Sequence, residues 1–438
     1  MDQDQKQHSR RDFVKHSTIL AGGILAAPLM ANANFFSGAD GVIKVALIGC
    51  GGRGTGAAIQ ALSTKQNVKL VAMADAFRDR LDSAYNEINS DDANVKAKVD
   101  VPEDRKFVGF DAYKKAIPLA DVIILTTPPG FRPIHFEEAV KLNKHIFMEK
   151  PVATDPAGVQ KVLAAAEEAK KKKLNVVVGL QRHYQNSYRE LYKRKDMIGD
   201  ITSAQAWWNN DGVWVHPRKA GQTEMEYQMR NWYYFNWLCG DHINEQHIHN
   251  IDVINWFKGG YPVKAQGMGG RQVRNGKDHG EIFDHHYVEF EYADGSILNS
   301  QCRHIKNTMA KVDELMIGTK GKIYCGAGKI TDTKGNTVYL FDRKTENNPY
   351  QTEHDELFAA IAKGEYKFAD AENGAKSTMT SILGRMATYS GQMVSWDKAI
   401  NSGIDLQPKV YDFAAAPPVL PNADGYYAIA TPGMTKYV

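Results

Sequence analysis

Val42-Ile43-Lys44-Val45-Ala46-Leu47-Ile48-Gly49-Cys50-Gly51-Gly52-Arg53-Gly54 is the stretch that decides the fold. A β-branched run leads into a G-x-G-x-x-G turn at Gly49, Gly51 and Gly54, and Thr55 to Leu62 beyond it has helical composition. Glycines at these points permit a tight turn, a close approach of backbone to a pyrophosphate, and contact between helix and strand. The helix N-terminus adds amide donors and a positive dipole end. Gly49, Gly51, Gly52, Arg53 and Gly54 are therefore expected to cradle a dinucleotide. Asp75 ends the next strand-like run about 20 residues later, where an acidic side chain accepts from ribose hydroxyls and repels a 2′-phosphate. NAD is thus favoured over NADP, with Arg78 as the nearby cation able to blunt that preference.

Outward from this loop, strand-like runs at Lys44–Ile48, Lys69–Ala74, Val122–Thr126, His145–Met148 and Asn175–Leu180 alternate with helical stretches. That alternation predicts a parallel sheet with crossover helices over residues 42–183. After Tyr184 strand-like segments separated by turns such as Ala293-Asp294-Gly295 dominate, predicting a mostly antiparallel sheet over 184–413. One long helix is expected from Asp241 to Phe257, and a helical pair after Glu353 is expected to pack back on the core. The fold class is α/β: an N-terminal Rossmann domain, then an α+β domain with a large sheet. The Pro- and Ala-rich tail 414–438 is expected to wrap the surface or a partner subunit.

Upstream, Ser9-Arg10-Arg11-Asp12-Phe13-Val14-Lys15 precedes an uncharged stretch from Ser17 to Phe36, with Ala31-Asn32-Ala33 as a small-residue cleavage pattern. This has the form of a twin-arginine export signal over residues 1–33, which implies passage through the twin-arginine (Tat) translocon into the periplasm, or a membrane tether if uncleaved. That route carries folded proteins, often with cofactor aboard. With 438 residues, 43% hydrophobic and 24% charged, the chain is long enough for two cored domains. A formal charge of +3 is too small to imply a nucleic-acid partner, no basic stripe with interleaved aromatics appears, and none is expected. Cys50, Cys239, Cys302 and Cys325 form no C-x-x-C unit, and folding in a reducing compartment argues against disulfides.

Two further segments carry chemistry. Phe147-Met148-Glu149-Lys150-Pro151 ends a strand at the edge where ligands sit in such sheets, and places Lys150 beside a bound cofactor. In Gly240-Asp241-His242-Ile243-Asn244-Glu245-Gln246-His247-Ile248-His249-Asn250-Ile251-Asp252, helical spacing puts His242, Glu245, His249 and Asp252 on one face. A histidine there suits removal of a hydroxyl proton. His242, Glu245 and His249 can also hold zinc in principle, but no established zinc motif matches and no metal is expected.

With Thr127-Pro128-Pro129 and His135, these segments resemble the Gfo/Idh/MocA oxidoreductases, and Glu245-Gln246-His247-Ile248-His249-Asn250 resembles an exported subgroup found in carbohydrate-degrading bacteria. The resemblance implies that Lys150 and His249 act on the reacting hydroxyl. It places Glu245 where many members have aspartate, and adds Thr127, Pro128, His135 and Glu149 to the cofactor set. It also implies that the open face of the sheet meets the active site. Open-faced sheets of this type often pair, so a homo-oligomer is expected. Substrate candidates are His183, Trp208, Arg230, Trp232, His242, His247, Asp252 and Arg303, with the aromatic residues suited to a pyranose face.

The expected activity is NAD-dependent oxidation of a secondary hydroxyl of a sugar or glycoside. Free NAD is scarce outside the cytoplasm, so export predicts a tightly bound cofactor recycled within the site. Redox-neutral glycoside hydrolysis by oxidation, elimination, hydration and reduction is the alternative, with His247, His183 or a tyrosine as the extra base. A non-catalytic NAD-bound sugar-binding protein is the third reading.

Overall fold

A computed structural model describes residues 41–436. The twin-arginine segment and its cleavage pattern lie outside the described residues, and no helix among those described is long and apolar enough to cross a membrane. Six strands form the first sheet: β1 (Ile43–Ile48), β2 (Val68–Asp75), β3 (Lys106–Val108), β4 (Val122–Leu125), β5 (His145–Met148) and β6 (Val176–Val178). Their spatial order is β3-β2-β1-β4-β5-β6 and every pairing is parallel. Strand order reverses between β1 and its two neighbours, which opens a crevice at the carboxyl ends of β1 and β4. Both faces are covered, so β4 and β5 are buried at every position, as parallel strands require.

The second sheet has nine strands, β7 (Ile201–Asn210), β8 (Lys264–Gly270), β9 (His285–Glu291), β10 (Ile297–His304), β11 (Lys311–Gly318), β12 (Gly321–Tyr324), β13 (Lys329–Asp332), β14 (Thr337–Leu340) and β15 (Val394–Ser395). The order is β14-β13-β12-β11-β7-β10-β9-β8-β15. All pairings are antiparallel except β7 with β10, which run parallel in the centre. Along β10, Leu298, Ser300, Cys302 and His304 are buried while the residues between them are not, so helices cover one face and leave the other open.

Two segments tie the sheets together. The helix Ala371–Ser390 packs on β8 and β9 and also on the Rossmann helix Pro156–Lys171. The helix Pro349–Ala362 packs on Gly52–Leu62, and Ala369 bridges Val176 of β6 in parallel. Leu357, Phe358, Ile361 and Phe368 thereby share one apolar cluster with Val45, Leu47 and Ala57.

The expected continuous helix over Asp241–Phe257 is two helices, His242–Glu245 and Ile248–Lys258, broken at Gln246 and His247. The break has a local cause. Gln246 turns its Oε1 to His304 Nε2 at 2.8 Å, and His247 Nε2 lies 2.7 Å from Ser300 Oγ on β10. These partners satisfy the buried His247 and the partly buried Gln246, and offset the ladder hydrogen bonds lost at the break. The tail packs against its own chain, with Val419 O accepting from Gln228 Nε2 (2.7 Å) and Tyr427 stacked edge-on to Phe235.

Candidate active site

The glycine loop has the geometry its spacing implies. Gly49 takes φ +97°, and a Cβ there would meet the Thr127 amide nitrogen at 2.5 Å. A Cβ on Gly54 would meet Thr126 Oγ1 at 2.7 Å and the Gly49 carbonyl oxygen closer still. Gly51 and Gly52 differ: a Cβ on either meets nothing within 4 Å, because both line an open cavity. No side chain caps the helix that begins at Gly52, so its first amides are free for a ligand. The cavity has a volume of about 590 Å³, within the range of cofactor sites.

Asp75 ends β2 at the wall of this cavity. Its Oδ2 accepts from Cys50 N at 2.6 Å and its Oδ1 from Phe77 N at 2.8 Å, which fixes the carboxylate and leaves lone pairs for a ribose. Burial lifts its pKa above the usual carboxylate value, and the two amides oppose that rise. Thr127, Pro128 and His135 line the same cavity. His135 Nδ1 lies 3.3 Å from Thr127 Oγ1, and burial pushes its pKa down to about 3, so the ring is neutral. Arg78 is placed elsewhere. It pairs with Asp82 (2.8 Å) and Glu103 (2.5 Å) on the surface, while Arg80, two residues on and on the other side of the helix, lines the cavity. Arg53 borders the cavity but pairs with Glu149 and, at 3.2 Å, with Glu353. Glu149 serves the fold as an anchor for Arg53.

Lys150 follows β5 at the sheet's carboxyl edge. Its Nζ donates to the Glu245 carbonyl at 2.5 Å and lies 3.3 Å from Glu245 Oε1. Burial raises the Glu245 carboxyl, and the ammonium of Lys150 opposes that rise. His249, in the first turn of the next helix, is 7% exposed and stacked against Trp208 with ring centroids 5.9 Å apart. Burial holds its pKa well below that of a free imidazole, and the charges of Lys150, Arg182 and Arg53 push the same way. Its Nδ1 and the Trp208 Nε1 are buried without a hydrogen-bond partner. The sequence also missed a neighbouring anchor: buried Glu314 accepts from Arg182, Tyr188 (2.9 Å) and Asn250 (2.7 Å). One acidic residue on a long strand carries no sequence signal for that role.

Several substrate candidates lie elsewhere. Arg230 and Trp232 line the cofactor cavity at the Asp75 end, with the Arg230 guanidinium 4.0 Å from the Phe77 ring centre and paired with Asp79 at 3.0 Å. Arg303 sits on the open face of β10, opposite to Ser300, and donates to Met309 O. His247 is buried against β10, with its pKa lowered to about 3 by burial. Asp252 does not orient His249. It holds His183 Nε2 at 2.7 Å and accepts from Asn373 and Ser377. His242 is fully buried, with Nδ1 2.7 Å from Asp241 Oδ1. Asp241, His242 and His286 form the group among the described residues closest to a metal-ligand set. Both Asp241 oxygens there already accept from donors: Oδ1 from the His242 amide, and Oδ2 from Phe283 N and the Tyr389 hydroxyl. That arrangement is a hydrogen-bond hub.

Fold and site together define a two-domain protein whose first half is a Rossmann domain with a dinucleotide-binding cradle. Residues 43–178 match the family model for oxidoreductases of the Gfo/Idh/MocA type with an NAD-binding Rossmann fold. It is 28% identical over 187 residues to inositol 2-dehydrogenase of Gluconacetobacter diazotrophicus, covering 42% of this chain and 48% of that one. It is 25% identical over 210 residues to 2,7-anhydro-N-acetylneuraminate hydratase of Escherichia coli, covering 47% and 51%. The chain thus spans about half the length of these curated relatives. A solved scyllo-inositol dehydrogenase from Lactobacillus casei, with bound NAD(H) and scyllo-inositol, has the same fold over 81% of this chain and 99% of that one (TM-score 0.60, 18% identity).

Proposed function

We propose that the protein oxidises a secondary hydroxyl of a cyclic polyol, sugar or glycoside with NAD, and that it keeps the dinucleotide and recycles it within the site. The observation that carries this reading is the Lys150–Glu245 pair at the sheet edge, with a neutral and partly unpartnered His249 charge-coupled to Lys150. The cradle at Gly51 and Gly52 fits a dinucleotide, which when bound supplies the hydride acceptor.

The residues divide the remaining work. Lys150 donates a hydrogen bond to the reacting oxygen and stabilises the negative charge that grows there. Glu245 holds the Lys150 ammonium in place through its carbonyl and carboxylate. The imidazole of His249, held neutral by burial, has a ring nitrogen free to take the hydroxyl proton. Trp208 packs over His249 and fixes the ring plane. The inositol dehydrogenase relatives support a polyol or sugar substrate, and the twin-arginine sequence pattern at Arg10 and Arg11 supports periplasmic action. Outside the cytoplasm, reoxidation needs a second keto-sugar at the same site. Met268 and Tyr287 on the outer face of the sheet suit pairing with a second copy of the chain.

The anhydro-sialic acid hydratase relative favours one second reading, a redox-neutral reaction in which oxidation is transient. Purified protein tested with inositols, free sugars and glycosides separates the two. A lasting nicotinamide absorbance change supports net oxidation, and aglycone release with no net change supports the redox-neutral reaction. Full turnover by His249→Ala would overturn the proposed base.

A further inference from the structure

The cofactor cavity is walled at its Asp75 end by Phe77 and Phe110. Neither aromatic is braced by the Rossmann domain alone. Phe413, in the C-terminal segment, lies with its ring centre 4.7 Å from Phe110 and 5.3 Å from Phe77. Tyr411 adds contacts at 6.0 Å to Phe110 and 5.5 Å to Phe131. The stretch is fastened on both sides. Upstream, Gln407 Nε2 donates to Thr154 Oγ1 and Trp237 O, both at 3.0 Å, and its Oε1 accepts from the Tyr411 hydroxyl at 3.2 Å. Downstream, Val419 O accepts from Gln228, and the Tyr427 hydroxyl joins Glu224 and Arg218. Between these anchors the hydrogen bonds of residues 412–418 are local, as in Ala414 N to Asp412 Oδ1. Two aromatic rings therefore press this span onto the cavity wall.

We propose that residues 411–419 form a clasp on the adenosine end of the bound dinucleotide, with Tyr411 and Phe413 setting its rate of release. The clasp rests on the cofactor reading above and deepens it, because it gives retention a structural element outside the nucleotide-binding domain. Phe77 follows Asp75 by two residues and donates its amide to that carboxylate, so bracing Phe77 also braces the ribose-binding group. An aromatic wall held from behind is rigid before the ligand arrives, and rigidity of this kind lengthens residence more than it speeds entry.

The test compares wild type, Phe413→Leu, the double variant Tyr411→Ala/Phe413→Ala, and Leu420→Ala as a control on an exposed tail residue. NAD carried through purification is extracted and counted per chain, and the release half-time is followed with an excess of a scavenging dehydrogenase. Melting temperature without cofactor verifies folding. The expected result is release at least tenfold faster in the double variant and an intermediate value for Phe413→Leu. Leu420→Ala should stay within twofold of wild type. If the double variant does not fold, Phe413→Leu carries the comparison. Equal half-times for wild type and the folded clasp variants overturn the clasp and leave the cofactor reading standing. Wild-type protein that neither carries nor binds a nicotinamide dinucleotide overturns both.

Discussion

Adding one methyl group at Gly51 and at Gly54 should damage different properties, although the two glycines belong to one turn. At Gly51 the backbone is extended (φ −79°, ψ 178°), which alanine adopts without strain, and a Cβ meets nothing within 4 Å. Gly51→Ala should therefore leave stability within about 0.5 kcal/mol of wild type. Its methyl projects into the cavity where a pyrophosphate must approach the amides. Losing one charge-assisted hydrogen bond costs about 1.5–3 kcal/mol, or roughly a 10- to 150-fold rise in Kd for NADH. At Gly54 the Cβ would lie 2.7 Å from Thr126 Oγ1 and closer to the Gly49 carbonyl, where ordinary contact begins near 3.4 Å. Backbone must move, at a cost of about 1–3 kcal/mol, so Gly54→Ala should lower the melting temperature of the cofactor-free protein by several degrees. NADH fluorescence titration and differential scanning fluorimetry read the two effects separately. A Gly51→Ala protein that binds NADH as tightly as wild type would refute the assignment of this cavity to the dinucleotide.

Three further outcomes follow from the site. His249→Ala should lower kcat by about 10²–10⁴-fold on any accepted polyol while NADH affinity stays within threefold, measured by steady-state kinetics beside the same titration. Asp75→Ser should cut the preference for NAD over NADP by more than tenfold, because the repelling carboxylate is gone while Arg80 still lines the cavity; competitive titration of the two cofactors checks this. Acid lability is the third. Burial holds His135 and His247 down to about 3 and His145 and His242 down to about 4, so the folded protein keeps them neutral while the unfolded chain takes up protons below about 6.5. Stability present above pH 6.5 is then lost as pH falls toward 4, at about 1.4 kcal/mol per pH unit for each histidine. His183 opposes the other four, since Asp252 raises it against its own burial. A urea midpoint that does not change between pH 7.5 and 5 would contradict the buried neutral assignment.

The Rossmann half was legible because its signals are local. Five of six strands are β-branched runs between helices, and the glycine turn announces itself. β3 escaped notice because Lys106-Phe107-Val108 is three residues long and follows a polar loop. Lys150, Glu245 and His249 were legible as residue types at suggestive positions, and the structure adds the direct contact between the first two. Errors gathered where partners are distant in sequence. No spacing rule shows that Asp252 is taken by His183, Asn373 and Ser377, or that His247 faces Ser300 across a helix break. The parallel pairing of β7 with β10, which joins strands far apart in the chain, was hidden for the same reason. It also decides that Trp208 and Cys302 share a face, which leaves Arg303 on the other side of the sheet.

The return of residues 349–369 to the first sheet also sets an order of events during synthesis. Val45, Leu47 and Ala57 emerge from the ribosome early, yet Leu357, Phe358, Ile361 and Phe368, which complete their apolar cluster, emerge only when most of the chain has been made. The nucleotide-binding half is therefore not finished when its own stretch of sequence is finished. It closes only after most of the sheet domain has been translated. A fragment ending at residue 183 would lack this covering layer, and it should be insoluble or molten when expressed alone.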